Sequence, residues 1–408
     1  MWTERVGTNP DLEVLLHGGS GATAELYECC DTWFPAARPV LVRVSRLPVR
    51  DAKEPSSVTS EPTPGRAPPP HAGPPGCHSG AGWLVSGHVH RHDREVIDVN
   101  VFVAGGSGVL GRRLVPQLVA RGHQVTATTT SKDRLALLER LGARAIVMDG
   151  LDAASVGEAV AAARPDAIVH QMTAIAPAHA GKPDIKHFDK WFSLTVRLRT
   201  EGTDHLLAAA QAAGRPHVVA QSYASWNGIR QGGWVKTEED PLDTHAGTPA
   251  QEPMEAVRYL EKVVIAAGGA ALRYGALYGP GATDDQVELV RKRQYPLIGD
   301  GGGYSSWIHL DDAASATVLA VERRAAGVFN IVDDEPAPAS EWLPYLAESA
   351  GGKRPMRVPK WLGRAAAGDV AVMMMVEGRG FSNAKAKREL GWTLRYPSWR
   401  QGFREGLS

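Results

Sequence analysis

The run Val101-Phe-Val-Ala-Gly105-Gly-Ser107-Gly108-Val109-Leu110-Gly111 constrains this chain more than any other stretch. Four leading residues without a charge read as a buried strand, and an apolar-periodic segment after the run reads as a helix. Between them the glycines fall at the spacing G-x-x-G-x-x-G. A strand that turns this sharply into a helix leaves the helix N-terminus open, with unpaired N–H groups and the positive end of the dipole facing outward. Glycine also lets an anion come close to the backbone. The pattern predicts a pyrophosphate seat formed by Gly105, Ser107, Gly108, Val109, Leu110 and Gly111.

From Val99 onward short apolar runs alternate with amphipathic segments. Strands are expected at 99–104, 124–129, 143–149, 166–171, 217–222 and 270–274. Helices are expected at 110–121, 132–141, 154–163, 188–213 and 255–267. This order specifies an α/β fold, a Rossmann-type doubly wound parallel sheet, whose ligands lie beyond the carboxyl ends of the strands. The second strand ends in Thr128-Thr129-Thr130-Ser131-Lys132, with no carboxylate before Asp133. An acid there would hold the adenosine ribose of NAD. Hydroxyls of Thr129 and Ser131 with the charge of Lys132 instead suit a 2′-phosphate, so NADP is preferred and NAD is the alternative. The competing reading makes Lys132 an exposed first-turn residue of the next helix.

Lys and Arg number 45 and Asp and Glu 45, so net charge gives no reason to expect nucleic acid or membrane as partner. No apolar run reaches the roughly 18–20 residues of a spanning helix. Residues 1–98 differ from the rest: they hold 12 of the 28 prolines and all three cysteines, Cys29, Cys30 and Cys77. They read as a largely disordered extension, or as an over-called start to a domain that begins near Val99. His88, His90 and His92 alternate there, but no thiolate or carboxylate set completes a metal site, so no metal is expected. A cysteine-free body fits a reducing, cytoplasmic setting.

Four further motifs follow in order. They are Glu201-Gly202-Thr203, Leu272-Arg273-Tyr274-Gly-Ala-Leu-Tyr278-Gly-Pro-Gly281, Trp307-Ile-His309-Leu-Asp311-Asp312 and Asn383 to Trp392 with its Leu-Gly-Trp end. Together with the glycine turn they resemble the extended short-chain dehydrogenase/reductases, the NAD-dependent epimerase/dehydratase family, over about residues 99–408. The resemblance implies an NAD(P)-binding domain at 99–278. It also implies a smaller C-terminal α/β substrate domain, mostly 279–408, with 305–334 returning to the sheet. It implies Asp149 at the adenine, Gln171, Met172 and Thr173 at the nicotinamide ribose, and Ser222, Arg273 and Tyr274 on the cofactor side. The turn 298–303 is expected to be flexible and to lie over the substrate cleft. Asp311 and Asp312 are expected to cap the next helix. The stretch 370–376 is expected to form core, or to line a less polar pocket. A small-molecule substrate is implied, and a homodimer is left open.

The family's acid–base pair is missing. Tyr-x-x-x-Lys occurs nowhere in the chain, and Glu261, which resembles the acid four residues past the family's Lys, places the pair at Pro253 and Val257. Tyr259 and Lys262 stand three apart and too near the next strand. Ser222 and Tyr223, at the end of the fifth strand, are the catalytic candidates; Tyr223 either replaces the missing phenol or packs over the cofactor. His170 reads as a strand residue and Tyr278 as structural. Arg199 stands where the family has Asn, and either binds an anionic substrate group or is an ordinary ion-paired helix residue. The chain is thus expected to be an NAD(P)-dependent oxidoreductase or epimerase-like enzyme with an atypical site. The alternative is a non-catalytic NAD(P)-binding sensor or partner-binding protein.

Overall fold

A computed structural model describes residues 99–175, 181, 183–224, 228, 230–244 and 248–407. The extension 1–98, with its cysteines and alternating histidines, lies outside the described residues. The described residues fall in one unit, Gly87–Ser408.

Seven strands form the sheet: β1 Asn100–Ala104, β2 Gln124–Thr129, β3 Arg144–Val147, β4 Ala167–His170, β5 His217–Tyr223, β6 Ala270–Tyr274 and β7 Gly327–Ile331. Their order is β7-β6-β5-β4-β1-β2-β3 and every pairing is parallel. The chain reverses direction of travel across the sheet between β1 and β4, so a crevice opens beyond their carboxyl ends. Period-two alternation on β1 feeds two cores. Val101 and Val103 pack under α1 (Gly111–Ala120) and α8 (Leu310–Glu322). Phe102 and Ala104 pack under α3 (Ala153–Ala163), α5 (Glu201–Ala212) and α6 (Thr248–Ala266). Between β2 and β3, α2 (Leu135–Arg140) follows a 3₁₀ turn at Lys132–Arg134.

A third core lies under α7 (Asp284–Arg291), α9 (Ala339–Ser349), α10 (Lys360–Val376) and α12 (Trp399–Glu405), with α11 (Ala384–Leu390) packed on the sheet side. Trp307, Trp342, Trp399 and Phe403 interlock there, with ring centroids 4.9–5.6 Å apart. Tyr278 is fully buried among them, and its hydroxyl has no hydrogen-bond partner among the described residues. Burial pushes its phenol far above the usual range, so it stays neutral.

Four local expectations need correction. The single helix over 188–213 is two, α4 (Phe188–Arg199) and α5, broken at Thr200 with φ −102° and ψ −84°. The Thr200 hydroxyl donates back to the Val196 carbonyl (3.0 Å), a bond that bends helices. Helix α6 begins at Thr248, not 255, because Pro253 forfeits only one bond near the start and its ring is buried. The 298–303 turn is pinned: Gly303 N–H donates to the Met375 carbonyl, and the carbonyls of Gly301 and Gly303 accept from Ser340 and Ala339. The helix cap is His309, whose ring accepts from Asp311 N–H (3.1 Å); Asp312 instead accepts from the backbone of Arg395 and Tyr396. Among the described residues no helix is long and apolar enough to cross a membrane.

Candidate active site

The glycine turn separates fold from ligand space. A Cβ on Gly105 (φ +89°) would lie 2.8 Å from the Gln171 carbonyl oxygen, and one on Gly106 2.7 Å from the Ala127 Cβ. On Gly111 it would meet the Gly106 oxygen at 2.4 Å. Those three glycines let β1, β2, β4 and α1 pack. Gly108 is different: it is exposed, and its Cβ would meet only the Gly105 oxygen, at 3.2 Å. The space over Gly108 and the start of α1 is a cradle that a side chain would fill, which fits a pyrophosphate. The turn is held by Gly105 N–H donating to Thr128 Oγ1 (3.0 Å) and Ser107 Oγ to Thr129 Oγ1 (3.1 Å).

Arg112 and Arg113 open α1, and its first turn has no acid. Cations there oppose the helix dipole unless an anion joins them; Asp311 already approaches Arg113, at 3.8 Å. A cavity of about 180 Å³ lies between Val109, Arg112, Arg113 and Pro280. The sequence reading passed over these arginines, although two cations at a helix N-terminus were the signal.

At the end of β2, where the adenosine is expected, Thr129 is buried and its hydroxyl also accepts from Ser131 N–H (3.2 Å), so it works as scaffold. Lys132 is exposed and shares its 3₁₀ turn with Arg134. Asp149 is exposed after β3, and its Oδ1 accepts from Leu151 N–H (2.9 Å).

Beyond β4, Gln171 is buried and its Nε2 donates to the Tyr274 hydroxyl (3.1 Å), which also shares a hydrogen with Thr317 Oγ1 (2.7 Å). Gln171 Oε1 has no donor among the described residues. Burial pushes Tyr274 up to about 12, so it is a neutral brace behind Gln171. Met172 is buried against Gly150, Thr173 is half-buried, and Ala174 N–H donates to Thr195 Oγ1 (3.0 Å), which ties this loop to α4. His170 is structural: its Nδ1 accepts from Met172 N–H, and its Nε2 pairs with Thr203 Oγ1 (3.1 Å). Burial, helped by the Arg199 charge, holds it down at about 4.

The end of β5 sends its two candidates to opposite faces, as strand alternation requires. Ser222 is 1% exposed and donates to Glu261 Oε1 (2.5 Å). The same carboxylate is gripped in bidentate fashion by Arg273, at 2.7 and 2.8 Å. Ser222 and Arg273 are therefore joined inside the protein and do not come together with Tyr223. Tyr223 packs against the cluster of Phe188, Met254, Val257 and Met373, with Trp191, Phe192 and Met374 beside it. Pro253 and Val257 are buried on α6. Tyr259, by contrast, is on the outer surface, where its hydroxyl donates to Asp204 (2.7 Å), and Lys262 is exposed.

Residues 101–332 match the NAD dependent epimerase/dehydratase family. A 3-diazoavenalumate denitrifying reductase from Streptomyces sp is 41% identical over 312 residues, covering 75% of this chain and 99% of the relative. A 4-hydroxy-2-methyl-3-oxo-4-farnesyl-3,4-dihydroquinoline-1-oxide ketoreductase from Stigmatella aurantiaca is 27% identical over 331 residues, covering 73% of this chain and 92% of the relative. The structure of human epimerase family protein SDR39U1 with NADPH superposes with a TM-score of 0.58 at 21% identity, covering 75% of this chain and 98% of that one.

Proposed function

This chain belongs to the NAD-dependent epimerase/dehydratase family, and from that premise we propose that it is an NADPH-dependent reductase that strips nitrogen from a diazo group on an aromatic small molecule. The observation that carries this reading is the apolar face of α6. By the register that Glu261 sets, the buried Pro253 and Val257 take the places of the family's Tyr and Lys, so that face of α6 carries no side-chain proton to hand over. A carbonyl acceptor needs a proton on oxygen as hydride reaches carbon. A diazonium group does not. Hydride on its terminal nitrogen gives a neutral diazene, which loses N₂ and leaves hydrogen on the ring carbon. The balance is Ar–N₂⁺ plus hydride giving Ar–H plus N₂. The relative named a denitrifying reductase supports the reading, at 41% identity over nearly its whole length.

When bound, the reduced dinucleotide supplies that hydride. The chain's own residues bind and orient. Gly105 to Gly111 and the start of α1 seat the pyrophosphate, with Ser107, Val109 and Leu110 shaping the turn. Ser131 and Lys132, backed by Thr129, hold the 2′-phosphate and favour NADP over NAD. Asp149 faces the adenine, and Gln171, Met172 and Thr173 face the nicotinamide ribose. Tyr223, Trp191, Phe192, Met373 and Met374 form an apolar wall that seats the substrate and keeps water away. Glu261, Arg273, Ser222 and Tyr274 brace the strand ends behind it. The lobe built from most of 279–408 serves as the substrate domain.

The test is NADPH oxidation with a panel of aryl diazo compounds, ketones and nucleotide sugars, with N₂ and product followed by mass spectrometry. The reading predicts one NADPH consumed per N₂ released, with NADH slower. Tight NADPH binding with no turnover of any panel member would favour the non-catalytic sensor, which the same missing pair would suit.

A further inference from the structure

Arg199 ends α4 and is only 5% exposed. Its guanidinium makes no hydrogen bond and no ion pair among the described residues; its recorded side-chain contact is the Phe192 ring, 5.2 Å from the guanidinium carbon. Tyr223 and Glu261 lie within electrostatic reach. Glu261 does not neutralise it, because both of that carboxylate's oxygens are taken by Arg273. His170, also nearby, is neutral. Among the described residues two cations thus share one carboxylate, which leaves a surplus positive charge at this place. Burial pulls Arg199 down to about 10, which still leaves it charged at neutral pH. A buried charge without a partner is expensive and is seldom kept without a use. Among the described residues no ion pair makes Arg199 an ordinary helix residue.

The surroundings say what would complete it. Phe192 and Arg199 are seven residues apart on α4, hence on one face, and Phe188 stacks on Phe192 with centroids 4.9 Å apart. Trp191 flanks them at 5.7 Å. This aromatic wall leads from Tyr223 and the methionines of α10 to the guanidinium. We propose that Arg199 is the specificity-determining residue that binds the carboxylate of a conjugated or aromatic acid, whose rings lie along Phe192 and Tyr223. The guanidinium fork matches a carboxylate in two hydrogen bonds, and the anion would neutralise the surplus charge. The proposal rests on reading this cleft as the substrate site.

The test uses the full chain saturated with NADPH, titrated calorimetrically with 4-hydroxycinnamate and with its primary amide. The wild type should prefer the acid. Arg199→Met should weaken acid binding about 10- to 100-fold, the worth of a charge-assisted pair, and leave the amide and NADPH affinities unchanged. Arg199→Lys should restore part of the preference. Arg199→Met should melt no lower than the wild type, since among the described residues its one side-chain contact is the Phe192 ring, on which methionine can still pack. If it does melt lower, Arg199→Lys and Arg199→Gln read the same acid-to-amide ratio. A wild type with no preference for the acid, or an Arg199→Met that keeps it, overturns the proposal. Equal weakening of NADPH also overturns it, because the guanidinium then serves a cofactor anion. Acid binding that depends on Arg199 without any diazo turnover would uphold the subsite and sink the reductase reading instead.

Discussion

Replacing Gly108 with Ala distinguishes ligand space from packing space in the glycine turn. The new Cβ would meet only the Gly105 oxygen, at 3.2 Å, and Gly108 does not hold a left-handed φ. Gly→Ala at such a position gains about 0.4–1 kcal/mol by restricting the unfolded chain, and the tight contact gives some of that back. Gly108→Ala should therefore fold with a melting temperature within about 2 °C of the wild type. The methyl group would stand where the pyrophosphate approaches the backbone. Losing one charge-assisted bond of about 1.5–3 kcal/mol should weaken NADPH about 10- to 100-fold by calorimetry. Gly111→Ala is the control. Its Cβ falls 2.4 Å from the Gly106 oxygen, which is backbone and cannot rotate away. That variant should lose roughly 1–3 kcal/mol and melt several degrees lower. A stable Gly108→Ala that binds NADPH as the wild type does would refute the placement of the phosphates.

Three more outcomes follow from the site. Tyr223→Phe should lower the rate of diazo reduction less than tenfold, since no phenolic proton is needed; a loss of about 10²–10⁴ would mark Tyr223 as a general acid. Arg273→Met should destabilise the fold by about 3–5 kcal/mol in urea titrations, because it strands the buried Glu261 carboxylate. An unchanged midpoint would mean that the pair contributes nothing. His170 and His217 are held near 4 by burial, against 6.5 for a free imidazole. Lowered folded values mean that unfolding takes up protons. The stability they contribute is full above about pH 6.5 and is lost as pH falls toward 4, by up to about 1.4 kcal/mol per unit for each group. His170→Gln should flatten that fall, and an identical slope would contradict the assignment.

The sheet was legible because each strand carries its own period. Val101 and Val103 face one layer and Phe102 and Ala104 the other, and the glycine turn needs no distant information. Less local features were harder to read. The break at Thr200 depends on a hydroxyl choosing its own helix's carbonyl, and the helical periodicity runs through it unchanged. The early start of α6 defeats the usual reading of Pro253, because one missing N–H near a helix start costs little. Ser222 and Tyr223 could have been separated from sequence, since neighbours on a strand face opposite ways. That Ser222 belongs to Glu261 and Arg273 emerges only when α6, β5 and β6 meet. Arg199 was open to two readings until the structure showed which carboxylate it lacks.

The most direct test of the central claim is a single turnover of enzyme-bound NADPH, deuterated at C4, with an aryl diazo acid in H₂O and in D₂O. The account predicts a normal primary isotope effect from the labelled cofactor, no solvent isotope effect, and N₂ released in step with NADPH loss. A large solvent effect on the same step would place a proton in flight with the hydride and contradict reduction without an acid–base pair. Bound NADPH that is never oxidised would contradict catalysis altogether.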